Sequence, residues 1–392
     1  MRQFLNANQR FCRGWESKLL LFLVLSMTGC RIDNIDSARR VAKLASIGSR
    51  PIVDVKRKDR FQTLGPLQKL IVGRPDPSER TQLFLRQNNL SNRYLQNPKQ
   101  VVQQLFEDCR CNPNMQSVHA IAELSQLEAD WYTTTRRSDE AMKFYAAAVV
   151  HAYKFLFDPE LNLQRNAYDP QFREICDIYN HSLESLMRLA CKSGSFEHGD
   201  RHKIGDESFG LEFDVEFEGR WSREEFERFE IARDFVVEGI DNSYHTFGLG
   251  VPLIAIRKKA TEQQTAPFEK YYPPSLALPL TAFCDVIPPA TDDDGEKLKA
   301  ILRLYDPLEK TVIHTKTRNA PLESDLTIPL AYYLNDPLLK TDVLSTVSLL
   351  DANVTEKFFG FYMLEPFDPD KIPVVMVHGL WSNPVTWMKM FN

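Results

Sequence analysis

The sequence predicts an α+β chain in three successive parts: a helical N-terminal subdomain, a strand-rich middle unit, and a final stretch that opens a further sheet. Three observations carry this. Apolar residues recur at helical spacing between Ser117 and Lys192. After Gly205 the spacing changes to alternation, with Leu211, Phe213, Val215 and Phe217 interleaved with Glu212, Asp214, Glu216 and Glu218. Ile372 to Val377 is then a short, nearly continuous apolar run rich in β-branched residues, the pattern of a strand buried on both faces. With 392 residues, 43% of them hydrophobic and 26% charged, the chain has material for two or three domains.

Residues 1–29 read as a secretory signal. Arg2, Arg10, Arg13 and Lys18 stand against the single acid Glu16, an apolar run of LLLFLVLS follows, and Met27-Thr28-Gly29-Cys30 closes it. The run is about half the roughly twenty residues that a bilayer-spanning helix needs. Those last four residues resemble a bacterial lipobox, which implies lipidation at Cys30, with methionine where leucine is commonest. The expectation is an exported, membrane-anchored lipoprotein of the cell envelope, periplasmic or surface-exposed; plain secretion or an uncleaved anchor is the alternative. Residues 30–110 are expected to be a linker and variable segment. Arg39, Arg40, Lys43 and Lys56-Arg57-Lys58 make it locally basic, suited either to anionic head groups or simply to a solvated linker.

A helical subdomain is expected over 111–200. One helix runs from Ser117 to about Trp131 through Val118, Ile121, Leu124 and Leu127 or Glu128. A second runs from Asp139, read as its cap, to Phe157, and a third from Gln171 to Lys192. Alanines facing large aromatics allow close helix approach. The pattern resembles a tetratricopeptide-like helix pair without a second copy, so either a packed subdomain or a protein-interaction surface over helices 117–192 is expected.

The strand-rich unit is expected over 205–355, with strands at Leu211 to Glu218, Val251 to Arg257, Leu278 to Val286 and Leu298 to Tyr305, and a short helix around Arg223 to Phe235. Alternation puts the carboxylates of the first strand on one solvated side, without the convergence that acid–base chemistry or calcium needs. Asp292-Asp293-Asp294-Gly295-Glu296 reads as an exposed turn, with calcium the weaker reading.

Cysteine usage does not define a framework. Apart from Cys12 and Cys30, the chain has Cys109, Cys111, Cys176, Cys191 and Cys284, an odd number, which leaves room for one or two disulfides. Cys109 and Cys111 lack the second pair of a zinc site, and His198 and His202 have no third ligand nearby, so no metal site is expected. A net charge of -5 gives no support for nucleic-acid binding.

After the apolar run, His378 and Gly379 make a turn, and Ser382-Asn383-Pro384 reads as an N-cap with proline opening a helix whose apolar face begins with Val385, Trp387, Met388 and Phe391. Crevices beyond the carboxyl ends of parallel strands are where such sheets bind ligands. Val377-His378-Gly379-Leu380, with Phe361 to Pro366 as the preceding strand, resembles the α/β-hydrolase superfamily, in particular bacterial lipases and esterases. The resemblance covers about the last 30 to 40 residues and implies that 356–392 are the first strands of an α/β-hydrolase sheet. It also implies that the Leu380 backbone N–H helps form an oxyanion hole, with His378 and Gly379 shaping the turn.

The rest of that machinery is not found in these residues. No G-x-S-x-G occurs, the serines at Gly48-Ser49, Gly194-Ser195 and Asn242-Ser243 lack the flanking pattern, and all precede the His-Gly turn. Nucleophile and general base are therefore absent, and the chain is expected to be either a fragment, or truncated form, of a longer serine hydrolase or a remnant that lost its triad. The resemblance implies acyl-ester hydrolysis, a lipid or acyl-ester substrate and no cofactor. A non-catalytic envelope lipoprotein that binds a protein partner through its helices is the other reading.

Overall fold

The computed structural model describes residues 54–58, 74–192, 202–205, 210–219, 221–240, 243–258, 272, 276–287, 298–315 and 317–335, with the single positions 370, 372, 374, 375 and 377. Among them the chain is α+β, with seven α-helices and a six-stranded mixed sheet.

The helices begin well before Ser117. Three of them, α1 (Glu79–Gln87), α2 (Ser91–Gln96) and α3 (Pro98–Cys111), occupy a stretch expected to be linker. Local chemistry explains them. Ser78 caps α1 by accepting from Thr81 N, and Asn97 caps α3 by accepting from Gln100 N with Pro98 just inside. Leu85, Leu90, Tyr94, Val101, Val102 and Leu105 are buried, so this is core and not tether.

The long helices α4 (Met115–Thr134), α5 (Ser138–Phe157) and α6 (Pro170–Lys192) follow the periodicity closely. Asn114 and Ser117 form a capping box at the start of α4. Asp139 is not a cap: Arg137 holds the cap position without a side-chain bond, and Asp139 and Glu140 lie in the first turn, where they favour the helix dipole.

The main sheet has strand order β2-β3-β9-β8-β7-β4, from β2 (His202–Gly205), β3 (Gly210–Glu218), β4 (Phe226–Ile231), β7 (Val251–Arg257), β8 (Ala277–Ile287) and β9 (Leu298–Tyr305). Only β3 and β9 pair in parallel. Every residue of β7 is buried, as befits a strand covered on both faces. Small antiparallel pairs complete the unit: β1 (Asp54–Arg57) with β5 (Phe235–Glu238), β6 (His245–Thr246) with β12 (Ser324–Asp325), and β10 (Val312–His314) with β11 (Asn319–Pro321). A short helix α7 (Thr327–Leu334) packs by β7 and β8.

Residues 223–235 form a 3₁₀ turn, β4 and a second 3₁₀ turn in place of the expected short helix. The register shifts between Phe226 and Arg228, so one extra residue separates Phe226 from Phe229. A bulge in a strand thereby produces the i, i+3 spacing of a helix.

Three cysteines, Cys109, Cys176 and Cys284, are free thiols, so no disulfide joins them. The expected buried strand at Ile372 to Val377 is also not observed at its described positions. Ile372, Val374, Val375 and Val377 lie outside any strand and are 91%, 80%, 60% and 75% exposed. A doubly covered strand exists only with paired neighbours and layers on both faces, and no described strand pairs with this run.

Helices α5 and α6 lie against the sheet at β8 and β7. Phe283 sits at the centre of that contact, with Tyr153, Phe157 and Tyr179 at ring-centroid distances of 6.3, 6.1 and 5.6 Å.

Candidate functional site

Among the described residues, a group of converging polar side chains between helices and sheet is centred on Glu323, which is 2% exposed. Its Oε2 accepts from the Asn180 amide at 2.8 Å, and its Oε1 accepts from Arg233 Nη2 at 2.5 Å and lies 3.3 Å from His245 Nε2. The Glu323 carbonyl accepts from the Thr281 hydroxyl at 2.7 Å. Each partner comes from a different element: Asn180 from α6, Arg233 from the turn before β5, His245 from β6 and Thr281 from β8.

Asn180 uses both ends of its amide. Its Nδ2 also donates to the Gly248 carbonyl at 2.8 Å, and its Oδ1 accepts from the Gly250 N–H at 2.8 Å. The Gly248-Leu249-Gly250 segment must be this slender. A Cβ at Gly248 would lie 2.4 Å from the Pro321 carbonyl oxygen, and one at Gly250, whose φ is +114°, would lie 2.7 Å from the Ala282 carbonyl oxygen.

From Glu323 the charges alternate outward. Arg233 Nη1 reaches Glu184 at 3.3 Å, Glu184 pairs closely with Arg188, and Arg188 Nη1 donates to Asp234 at 2.6 Å. Burial works against the charge on Arg233, but Glu323 and Glu184 outweigh it and hold its pKa above the ordinary arginine value. Burial pushes the Glu184 carboxyl up against the pull of Arg233. One helical turn from Glu184, His181 lies 3.1 Å from Asp130, which also accepts from the Tyr145 hydroxyl at 2.6 Å; the Asp130 bond raises the His181 pKa.

Chemically, a carboxylate that orients an imidazole is the acid–base half of a nucleophilic site. The other half is missing here, since among the described residues no hydroxyl or thiol hydrogen-bonds to His245 and no cluster of three or more metal-ligating side chains occurs. A buried carboxylate with three donors is instead a strong mechanical link between layers. The junction fixes α6 to the sheet.

None of the sequence-derived site residues falls within it. Cys30, His378, Gly379 and Leu380 lie outside the described residues, as do Phe361 to Pro366 and Asp292 to Glu296. The Glu323 junction was not foreseen, although the closely spaced Gly248 and Gly250 ahead of an apolar strand mark a close backbone approach. No described helix is long and apolar enough to cross a membrane. Comparison of the chain with protein-family models, with curated proteins and with solved structures found no match.

Proposed function

We propose that this chain carries the oxyanion turn of an exported serine α/β-hydrolase acting on acyl esters, tethered to the membrane through a lipid on Cys30. The observation that carries this reading is the run Val374 to Leu380, an apolar segment ending in Val-His-Gly-Leu and followed by the Ser382-Asn383-Pro384 helix start. In that reaction a serine attacks the ester carbonyl, a histidine takes its proton, and two main-chain N–H groups hold the tetrahedral oxyanion. Leu380 would supply one of those N–H groups. The helices and the six-stranded sheet would be an accessory unit preceding the catalytic sheet. The exposure of Val374, Val375 and Val377 fits a segment that requires further strands and helices to cover it.

The experiment is to read the coding sequence onward from the codon for Asn392 and assay the whole product. An in-frame G-x-S-x-G, followed by an acid and a histidine, together with nitrophenyl-ester hydrolysis that a serine-directed phosphonate abolishes, would support the reading. A stop codon directly after Asn392 would overturn it, and residues 1–392 alone are expected to leave the ester untouched.

A second reading, a protein-binding envelope lipoprotein, draws on one feature of the helical unit. Leu163 and Tyr168 are 100% and 96% exposed on the connector between α5 and α6. That connector is fastened by Arg165, which donates to the carbonyls of Phe155 at 2.7 Å and Asp158 at 2.8 Å. Two apolar side chains displayed on a fixed loop suit a partner surface.

A further inference from the structure

Residues 74–78, Arg-Pro-Asp-Pro-Ser, lead into α1 along the outside of α4. Residues 74–77 make no backbone–backbone hydrogen bond among the described residues, and Pro75 and Pro77 have no N–H to offer. Side chains hold the segment at two carboxylates of α4. Glu123 accepts from Ser78 N at 2.5 Å, Ser78 Oγ at 2.8 Å and Thr81 Oγ1 at 2.5 Å. Five residues further along, Glu128 pairs with Arg74 Nη2 at 3.3 Å, and the Arg74 guanidinium lies over the Trp131 ring at 5.2 Å from its centroid.

The two attachments differ in kind. Glu123 is satisfied by three donors. Glu128 is 0% exposed, and among the described residues neither of its oxygens has a hydrogen-bond donor and Arg74 alone pairs with its charge. One turn earlier on the same helix, the Ser125 hydroxyl is likewise buried without a hydrogen-bond partner and gives the Glu128 carboxylate no donor. From α2, the Tyr94 phenol faces Glu128 and is held in its neutral form by burial and then by that carboxylate.

We propose that residues 74–78 are a proton-released strap. With Glu128 ionised, Arg74 is clamped across Trp131 and the segment lies down on α4. When Glu128 takes a proton the clamp opens, and residues 74–77 leave the helical layer while the Glu123 contacts act as the hinge. Burial, the larger effect, raises the Glu128 pKa and the Arg74 charge lowers it, so this carboxyl takes up its proton at a higher pH than an ordinary glutamate does. Earlier in the chain β1 (Asp54–Arg57) stays paired with β5, so release frees residues 74–77 between two fixed points, β1 and the Glu123 hinge.

Hydroxyl-radical footprinting of the full chain tests this, with oxidation of the buried Pro77 and of Trp131 scored against Tyr179 as a core control. In the wild type both signals should rise about threefold between pH ~7.5 and pH ~5. Glu128→Gln, which cannot ionise, should show the higher value at both pH values. Arg74→Met should do the same while leaving the buried carboxyl in place, which guards against misfolding of the Gln variant. Equal oxidation of the wild type at the two pH values, or a pH response that survives in Glu128→Gln, would overturn the proposal.

Discussion

The hydroxyl of Tyr179 donates to the Cys284 carbonyl at 2.8 Å and accepts from the Cys284 N–H at 2.9 Å. It does the work of a neighbouring strand. β7 pairs with β8 only as far as Ala282, and beyond that point the β8 edge lies under α6. A buried strand edge with open polar groups is costly, and one phenol from the helix satisfies both of them.

Tyr179→Phe keeps the ring and strands two buried backbone groups, which costs about 1–3 kcal/mol each when unrelieved. The expected result is a urea midpoint lowered by the equivalent of about 2–4 kcal/mol with the slope unchanged. A loss below about 0.5 kcal/mol would show that water reaches the edge and replaces the phenol.

Gly250→Ala should be among the most damaging single changes in the sheet. The new methyl would press on the Ala282 carbonyl and the Thr281 side chain, and the φ of +114° disfavours any side chain. The Gly250 backbone cannot retreat without breaking the Asn180 clasp, nor the Ala282 backbone without disturbing its pairing with β9, so a loss of about 3 kcal/mol or more is expected. Asn180→Ala, removing the clasp alone, should cost about 2–3 kcal/mol. Because the two changes touch the same contact, the double variant should lose clearly less than the sum. Additivity in thermal melts would mean that the clasp and the close approach are independent.

Much of the fold was legible in the sequence because it rests on local periodicity. Val251 to Arg257 and Leu298 to Tyr305 match the observed strands residue for residue, and α4 to α6 lie within a few residues of their expected bounds. The failures have physical causes. A bulge gave β4 the spacing of a helix. The polar surface of α1 to α3 hid an apolar stripe that runs through Val101, Val102, Leu105, Phe106 and Cys109, although Asn97-Pro98 is the same kind of helix-start signal as Ser382-Asn383-Pro384. The Glu323 junction was illegible for another reason: Asn180 is 143 residues away along the chain, and no local pattern encodes which distant amide will meet a given carboxylate.

Arg136 closes α4 with φ at +59°, a left-handed conformation usually left to glycine. The turn is otherwise well made, with Arg137 N donating to the Tyr132 carbonyl at 2.9 Å. The neighbouring Arg137, not Arg136, supplies the cation over the Tyr132 ring. Arg136→Gly should therefore relieve strain without losing a contact and raise stability by about 0.5–1 kcal/mol, seen as a higher melting temperature. An unchanged or lower value would mean that the greater freedom of glycine in the unfolded chain outweighs the strain.

His151 sets the last expectation, for acid. Its Nδ1 is 2.8 Å from the Ala147 carbonyl and its ring stacks on Phe106 at 5.1 Å. Burial lowers its pKa to about 4, and Lys154 and Arg110 push in the same direction. The unfolded chain therefore binds this proton from about pH 6.5 downward while the folded chain refuses it until about pH 4. Stability from this group is full above the unfolded value and drains away as pH falls across that window. The ceiling is about 3 kcal/mol, reduced because the residue is half-buried and not fully enclosed. Stability measured by denaturant titration at intervals across the window should decline more steeply for the wild type than for His151→Phe, which cannot titrate. His119, whose pKa is also lowered by burial, leaves a residual slope in that variant. Parallel curves for the two proteins would show that His151 is protonated as easily in the fold as outside it.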